Sequence, residues 1–132
     1  MKVIFDSNVL LSAGLFPNGG ASQCVNYASE KFVIILTNTI IEEVKRVVER
    51  KFPKSLPLFE RFFANLKYEY TYIPNEEIVT SKATISDQGD KHVLVSAIFA
   101  EAEVLITGDK HFFERVYDEV EVLSPSDFLA KY

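Results

Sequence analysis

Four carboxylates in this chain stand where a solvated acid has little reason to be. Asp6 directly follows the apolar run Val3-Ile4-Phe5, and Asp109 follows Val104-Leu105-Ile106-Thr107 after a single glycine. In open α/β sheets ligand chemistry gathers at the carboxyl ends of strands, so two acids at two strand ends mark a candidate site. Each also has a plainer reading, Asp6 as a turn cap and Asp109 as the N-cap of a helix that begins at Lys110. Glu43 is more telling. On a wheel of about 100° per residue, Ile40, Ile41, Val44, Val47 and Val48 share one arc, with Glu42 and Glu49 opposite. Glu43 lies roughly 40° from Val47, at the rim of that stripe. A carboxylate there is half desolvated and needs a hydrogen-bond donor, a metal or a salt bridge to a neighbouring Lys or Arg. Asp90 continues the apolar line of Val93, Leu94 and Ala97. Its plainer reading is a first-turn acid favoured by the helix dipole, with Ser86 or Asp87 as the cap.

If Asp6, Glu43, Asp90 and Asp109 converge, their mutual repulsion raises their pKa values unless a cation neutralises them. Hard oxygen ligands favour Mg²⁺ or Mn²⁺. With two His and one Cys in the chain, a thiolate or imidazole zinc site is nearly excluded. Magnesium takes few protein carboxylates and leaves positions for a substrate phosphate. Such an ion lowers the pKa of an attacking water and balances charge on a leaving oxygen. Thr107 and Asn8 carry polar groups beside these acids and could orient water or ligands from an outer layer. Asp87, one turn before Asp90, could reach the same cleft, although capping accounts for it as well.

The elements that must position these acids alternate short β-branched runs with helical patterns, the signature of a parallel α/β sheet. Residues 2–5 read as a fully buried first strand, followed at once by Asp6-Ser7-Asn8. Residues 16–20 read as a loop, 22–29 as a short helix and 32–36 as a second buried strand. A long amphipathic helix over 38–51 stops before Pro53, because a residue preceding proline disfavours helix. A further helix covers 56–66, and 68–73 alternates as an edge strand does. Residues 76–86 are weakly patterned. A helix runs from 87 to about 102, then a strand over 104–107, a short helix over 110–115 and a last strand over 120–123. Ser124 opens a C-terminal helical turn with Pro125 at a tolerated first-turn position. Five strands with helices between them place helices on both faces of the sheet.

Composition bounds the partners. A chain of 132 residues suits one domain spanning 1–132 and is long enough for a proper core. No apolar run reaches the roughly 18 residues of a membrane span. The start Met-Lys-Val-Ile-Phe-Asp meets a charge too early for a signal peptide, and the lone Cys24 forbids an internal disulfide. A cytoplasmic setting fits best. The net charge of −5 argues at first against a nucleic-acid partner. Its distribution argues otherwise. Seven of 14 basic side chains (Lys45, Arg46, Arg50, Lys51, Lys54, Arg61 and Lys67) fall in one segment, opposed there only by Glu49 and Glu60. That segment is either a solvated helical face or a phosphate-contacting patch, with Arg46, Arg50, Lys51 and Lys54 as its candidate contacts.

These pieces together resemble a family. Phe5-Asp6-Ser7-Asn8-Val9-Leu10 followed by Ser12-Ala13 resembles the opening of PIN domains. Ile40-Ile41-Glu42-Glu43-Val44 looks like their helix carrying the second acid. Asp90-Lys91-His92-Val93-Leu94 and Ile106-Thr107-Gly108-Asp109-Lys110 resemble the third and fourth acidic motifs. Val122-Leu123-Ser124-Pro125-Ser126-Asp127-Phe128-Leu129 is similar to the tail of a prokaryotic, VapC-like branch of toxin components. Two departures stand out: Ser7 replaces a common threonine but keeps the hydroxyl, and Ser86-Asp87-Gln88-Gly89-Asp90 lacks a proline often found there. The resemblance implies a single-domain α/β/α sandwich with a five-stranded parallel sheet of order 3-2-1-4-5. It also implies Mg²⁺- or Mn²⁺-dependent ribonuclease activity through Asp6, Glu43, Asp90 and Asp109. Homodimers are frequent in the family, and toxin members have an antitoxin that blocks the site.

Two other classes compete. A phosphoacceptor signalling domain also gathers acids at strand ends, but it has no task for Glu43 at a helix rim. A non-catalytic PIN-like module would dimerise or bind a partner without chemistry, and the presence of all four acids argues against it. Gly19-Gly20 and Gly108-Asp109-Lys110 lack the Gly-Lys-Ser/Thr ending of a phosphate-binding loop. His92 and His111 read as surface or packing residues. Metal-assisted hydrolysis needs no 2′-hydroxyl, so the chemistry itself does not separate RNA from DNA.

Overall fold

The computed structural model describes residues 1–74, 88–114 and 116–132, and the side chains of residues 88–92 are not part of that description. The chain opens with β1 (Lys2–Phe5), α1 (Ser7–Leu15), α2 (Gly20–Lys31) and β2 (Val33–Thr37). Then come α3 (Asn38–Lys51), a 3₁₀ turn at Pro53–Ser55, α4 (Leu56–Asn65) and β3 (Glu69–Thr71). The last part holds α5 (Gln88–Phe99), β4 (Val104–Ile106), a 3₁₀ turn at Lys110–Glu114, β5 (Glu121–Leu123) and α6 (Pro125–Lys131). The five strands form one parallel sheet in the order β3-β2-β1-β4-β5. This is the α/β arrangement the alternating patterns predict.

β1 is central because it can be. Val3, Ile4 and Phe5 are wholly buried, as a strand covered on both faces requires. β2 and β4 flank it with Ile34, Ile35, Leu36, Val104, Leu105 and Ile106, all in the same core. β3 is an edge strand and looks it: Glu69 and Tyr70 are exposed.

Element bounds shift by a few residues from the sequence patterns, with one larger difference. Residues 7–15, to which the sequence pattern assigns no element, form α1. Its Ser7, Val9, Leu10, Leu11, Ala13 and Gly14 are all buried, so only Asn8 and Ser12 mark an outer polar line, too narrow to reveal the helical period. Gly14 has a specific reason to be glycine. A Cβ there would stand 2.5 Å from the Phe59 ring of α4, so the missing side chain lets that ring seat against α1. The helix expected over 110–115 is instead a 3₁₀ turn, and Arg115 lies outside the described residues.

Local chemistry sets the helix ends. The Thr37 hydroxyl accepts from the Ile40 N–H at 3.2 Å and caps α3. Phe52, before Pro53, ends it. Ser124 caps α6 by accepting from the Asp127 N–H at 3.1 Å, with Pro125 at the first helical position as expected. Among the described residues no helix is long and apolar enough to cross a membrane.

Candidate active site

The site begins where β1 and β4 end side by side. Phe5 is paired with Ile106, so the chain leaves the two strands at the same level as Asp6 and Thr107. The Asp6 N–H donates to the Ile106 carbonyl at 2.9 Å, extending the ladder by one rung. Asp6 is only 6% exposed and Thr107 not at all. The Thr107 hydroxyl donates to Asp6 Oδ2 at 2.8 Å. The same hydroxyl accepts from the Asp109 N–H at 3.1 Å. Thr107 thus ties the end of β1 to the turn carrying Asp109, in the neighbouring role the sequence suggests for it.

Burial pushes the Asp6 carboxyl above its ordinary value, and the charges of Glu43 and Asp109 push it further. The Thr107 hydroxyl and the Ser7 backbone N–H pull the other way without cancelling the rise. Three of the four predicted acids therefore share one electrostatic field. Glu43 is half-buried on α3 while Glu42 is exposed, so the rim position read from the wheel holds. Asp109 is half-exposed, and its Oδ1 accepts from the His111 N–H at 3.0 Å. The capping reading of Asp109 is thus correct for one of its oxygens, and the other is uncommitted to that cap.

The remaining site residues divide. Asp90 belongs to α5, whose backbone runs over Gln88–Phe99, but its side chain lies outside the described residues. Asp87 lies outside them altogether. Asn8 is exposed beside Asp6 and Ser7. Arg46, Arg50, Lys51 and Lys54 are all exposed, along the last turns of α3 and the 3₁₀ turn after it. His111 is exposed. Cys24 is buried, and that burial raises its thiol to about 11.

A divalent cation suits the chemistry of this donor set: hard carboxylate oxygens, one of them deeply buried and repelled by two others. Among the described residues no three His, Cys, Asp or Glu side chains stand close enough to hold an ion in common, and the Asp90 carboxylate is not among them. Two features escaped the sequence patterns. The Ser7 hydroxyl is buried beside Asp6 with no hydrogen-bond partner among the described residues. A hydroxyl chain also links Thr37 to Thr39 at 3.0 Å and Thr39 to Ser96 at 2.9 Å, pinning α3, which bears Glu43, to α5, which bears Asp90. Adjacency to Asp6 could have flagged Ser7. Nothing in the sequence pairs Thr39 with Ser96.

Comparison with solved structures finds this fold elsewhere. A chain in the VapBC2 structure from Rickettsia felis, bound to a DNA fragment from its promoter, superposes with a TM-score of 0.69 at 14% identity. That match covers 94% of this chain and 98% of that one. DNA-bound VapBC from Salmonella typhimurium matches at 0.67 and 15% identity, covering 95% and 98%. The RRP44 PIN domain of T. brucei matches at 0.55 and 16% identity, covering 98% and 79%. Identities this low speak for the fold alone. Comparison with curated protein sequences finds no match. A family model described as PIN domain matches residues 2–111, most of the chain's length. The chain belongs to the PIN domain family.

Proposed function

We propose that this chain is a divalent-metal-dependent endoribonuclease that hydrolyses phosphodiester bonds in RNA, with Asp6, Glu43, Asp90 and Asp109 as its acidic centre. PIN domains as a class are nucleases, and the observation that carries the reading here is Asp6. A carboxylate 6% exposed, raised by burial and by two neighbouring acids, is an expensive arrangement for a chain with no use for it. Asp6, Glu43, Asp90 and Asp109 would hold Mg²⁺ or Mn²⁺. When bound, the ion supplies an activated water and charge balance for the leaving oxygen. Thr107 keeps the Asp6 carboxylate fixed in orientation by donating to Oδ2, and the Asp109 N–H keeps Thr107 from turning away. Arg46, Arg50, Lys51 and Lys54 contact the RNA backbone.

The resemblance to chains in VapBC complexes supports a toxin of a toxin–antitoxin pair with an antitoxin partner; a homodimeric state and a cytoplasmic setting are part of the proposal. A single domain over 1–132 belongs to the same reading. One observation favours a second reading, a non-catalytic PIN module. Asp109 already spends an oxygen on the His111 N–H. The test is direct. Wild-type protein should cleave a labelled RNA with millimolar Mn²⁺ and stop when EDTA is added. An intact RNA under both conditions would leave the binding module standing.

A further inference from the structure

The start of α3 holds on to α5 by two separate routes. Thr37, Asn38 and Thr39 follow one another there, and each side chain has its own task. The Thr37 hydroxyl accepts from the Ile40 N–H and meets the Thr39 hydroxyl at 3.0 Å. Thr39 in turn meets the Ser96 hydroxyl of α5 at 2.9 Å. The Asn38 amide takes both backbone groups of Ile73, accepting from its N–H at 2.7 Å and donating to its carbonyl at 3.2 Å. Ile73 is buried against Val95, the residue before Ser96. The direct and the indirect route thus end on adjacent residues of one helix.

Capping and packing would account for either route alone. Their place in the fold asks for more. Ile4 pairs with Ile35, so Asp6 is level with Thr37, one strand spacing of about 4.8 Å away. Phe5 pairs with Ile106, which puts Thr107 on the other side of Asp6. Thr37 and Thr107 are both fully buried. Thr107 bonds Asp6 directly, whereas Thr37 begins a chain of hydroxyls that leads to α5. Thr39 and Glu43 are both half-buried and four residues apart, so they share one face of α3. That face is the one that meets Ser96. Asp90 precedes Ser96 by six residues, about 9 Å along α5. Each helix is therefore held within two turns of its acid. Apolar contacts would let the helices slide, but Ser96 is 1% exposed, and a buried hydroxyl is costly to leave without its partner.

We infer that Thr39 and Ser96 are positioning residues for the metal centre: their bond fixes how α3 and α5 sit together, and so the spacing at which Glu43 and Asp90 meet one ion. Metal sites need their ligands held to within about 0.5 Å, which a hydroxyl bridge between the two helices supplies. The inference rests on the metal-dependent reading above and adds two residues that touch neither the ion nor the RNA.

The test titrates the full chain with Mn²⁺ alone, reading free ion by electron paramagnetic resonance, and follows urea unfolding in EDTA alongside. Thr39→Val and Ser96→Ala should each weaken Mn²⁺ binding roughly tenfold, the scale of losing a group that orients a metal ligand. Thr39→Ser keeps the hydroxyl and should stay within about twofold of wild type. The double variant should bind no more weakly than the worse single one, because both changes act through one bond. Ser124→Ala removes the cap of α6 and should lower urea stability without moving the Mn²⁺ dissociation constant. If Thr39→Val does not fold, Ser96→Ala against Ser124→Ala decides alone. Unchanged Mn²⁺ affinity in Ser96→Ala overturns the inference. So does additive weakening in the double variant, which means two unrelated effects, or an equal loss in Ser124→Ala, which means general loosening. Wild-type protein that takes up no Mn²⁺ removes the metal centre itself and the inference with it. Wild-type uptake with indifferent variants removes only the positioning role.

Discussion

The ends of β1 and β4 stand side by side and each delivers an aspartate, yet the two acids live differently. Asp6 follows its strand with no spacer, is buried at once and receives the Thr107 hydroxyl and the Ser7 N–H. Asp109 comes after Thr107 and Gly108, stands half-exposed and spends one oxygen on the His111 N–H. A spacer of two residues separates a carboxylate that is desolvated from one that is partly satisfied by its own turn. The same residue type is thus set to two roles. In the proposed acidic centre Asp6 is the carboxylate whose burial a cation would relieve, whereas Asp109 also serves its own turn.

The largest effect that would sharpen this contrast is on catalysis. Asp6→Asn should reduce Mn²⁺-dependent RNA cleavage by roughly a hundredfold or more, the scale of losing a group that acts on charge at the reacting centre. Asp109→Asn should reduce it less, because Asn can still cap His111. If Asp109→Asn is the more damaging change, the ranking drawn from burial is wrong.

Stability should move the opposite way. The folded pKa of Asp6 lies above 3.8, so its favourable contribution is complete below that value and is lost as pH rises through the raised one. At neutral pH, in EDTA, ionised Asp6 therefore destabilises the fold. Asp6→Asn should melt higher than wild type there, and the gap should close as the pH falls toward 4. Adding Mn²⁺ should lift wild type by about 2.7 kcal/mol at 100 times its dissociation constant, and the variant by less. Equal wild-type melting temperatures with EDTA and with Mn²⁺ would break the account of Asp6.

Thr107 joins the two ends, so its loss tests both. Thr107→Val removes one of the two donors to a buried carboxylate, leaving the Ser7 N–H, and should cost about 1–3 kcal/mol, with Thr107→Ser recovering most of it. Because that hydroxyl lowers the Asp6 pKa, its removal should shift the acidic limb of the cleavage profile to higher pH. An unmoved limb would mean that Asp6 does not set it. The smallest expected effect lies far from both strands. Replacing Arg50 and Lys51 with Gln should reduce the slope of log affinity against log salt for single-stranded RNA by about one to two units. An unchanged slope would make that segment an ordinary solvated face.

The parts of the molecule that were legible in the sequence are those where a pattern has one physical cause. The buried strands read correctly because their apolar runs end in turn or helix signals, and the half-buried setting of Glu43 because the wheel puts it at the rim of the apolar stripe. α1 was illegible for the opposite reason: buried on most sides, it has only Asn8 and Ser12 as a polar line, too narrow to reveal a 3.6-residue period. The Thr39–Ser96 bond was beyond reach because it joins two helices far apart in sequence through common polar residues. Asp109 shows an intermediate case, in which the capping and site readings were both available and one side chain serves the cap while adding its charge to Asp6.

Glu42 and Glu43 offer the sharpest test of the proposed acidic centre, since they share chemistry and helix propensity and differ only in direction. Glu42 is exposed, while Glu43 is half-buried and its charge reaches Asp6. Cleavage of a labelled RNA in Mn²⁺ should fall by orders of magnitude for Glu43→Gln, with folding intact by circular dichroism. Glu42→Gln should stay within about a factor of two, as a solvated surface change costs under about 0.5 kcal/mol. Loss of activity in Glu42→Gln, or full activity in Glu43→Gln, would contradict the acidic centre.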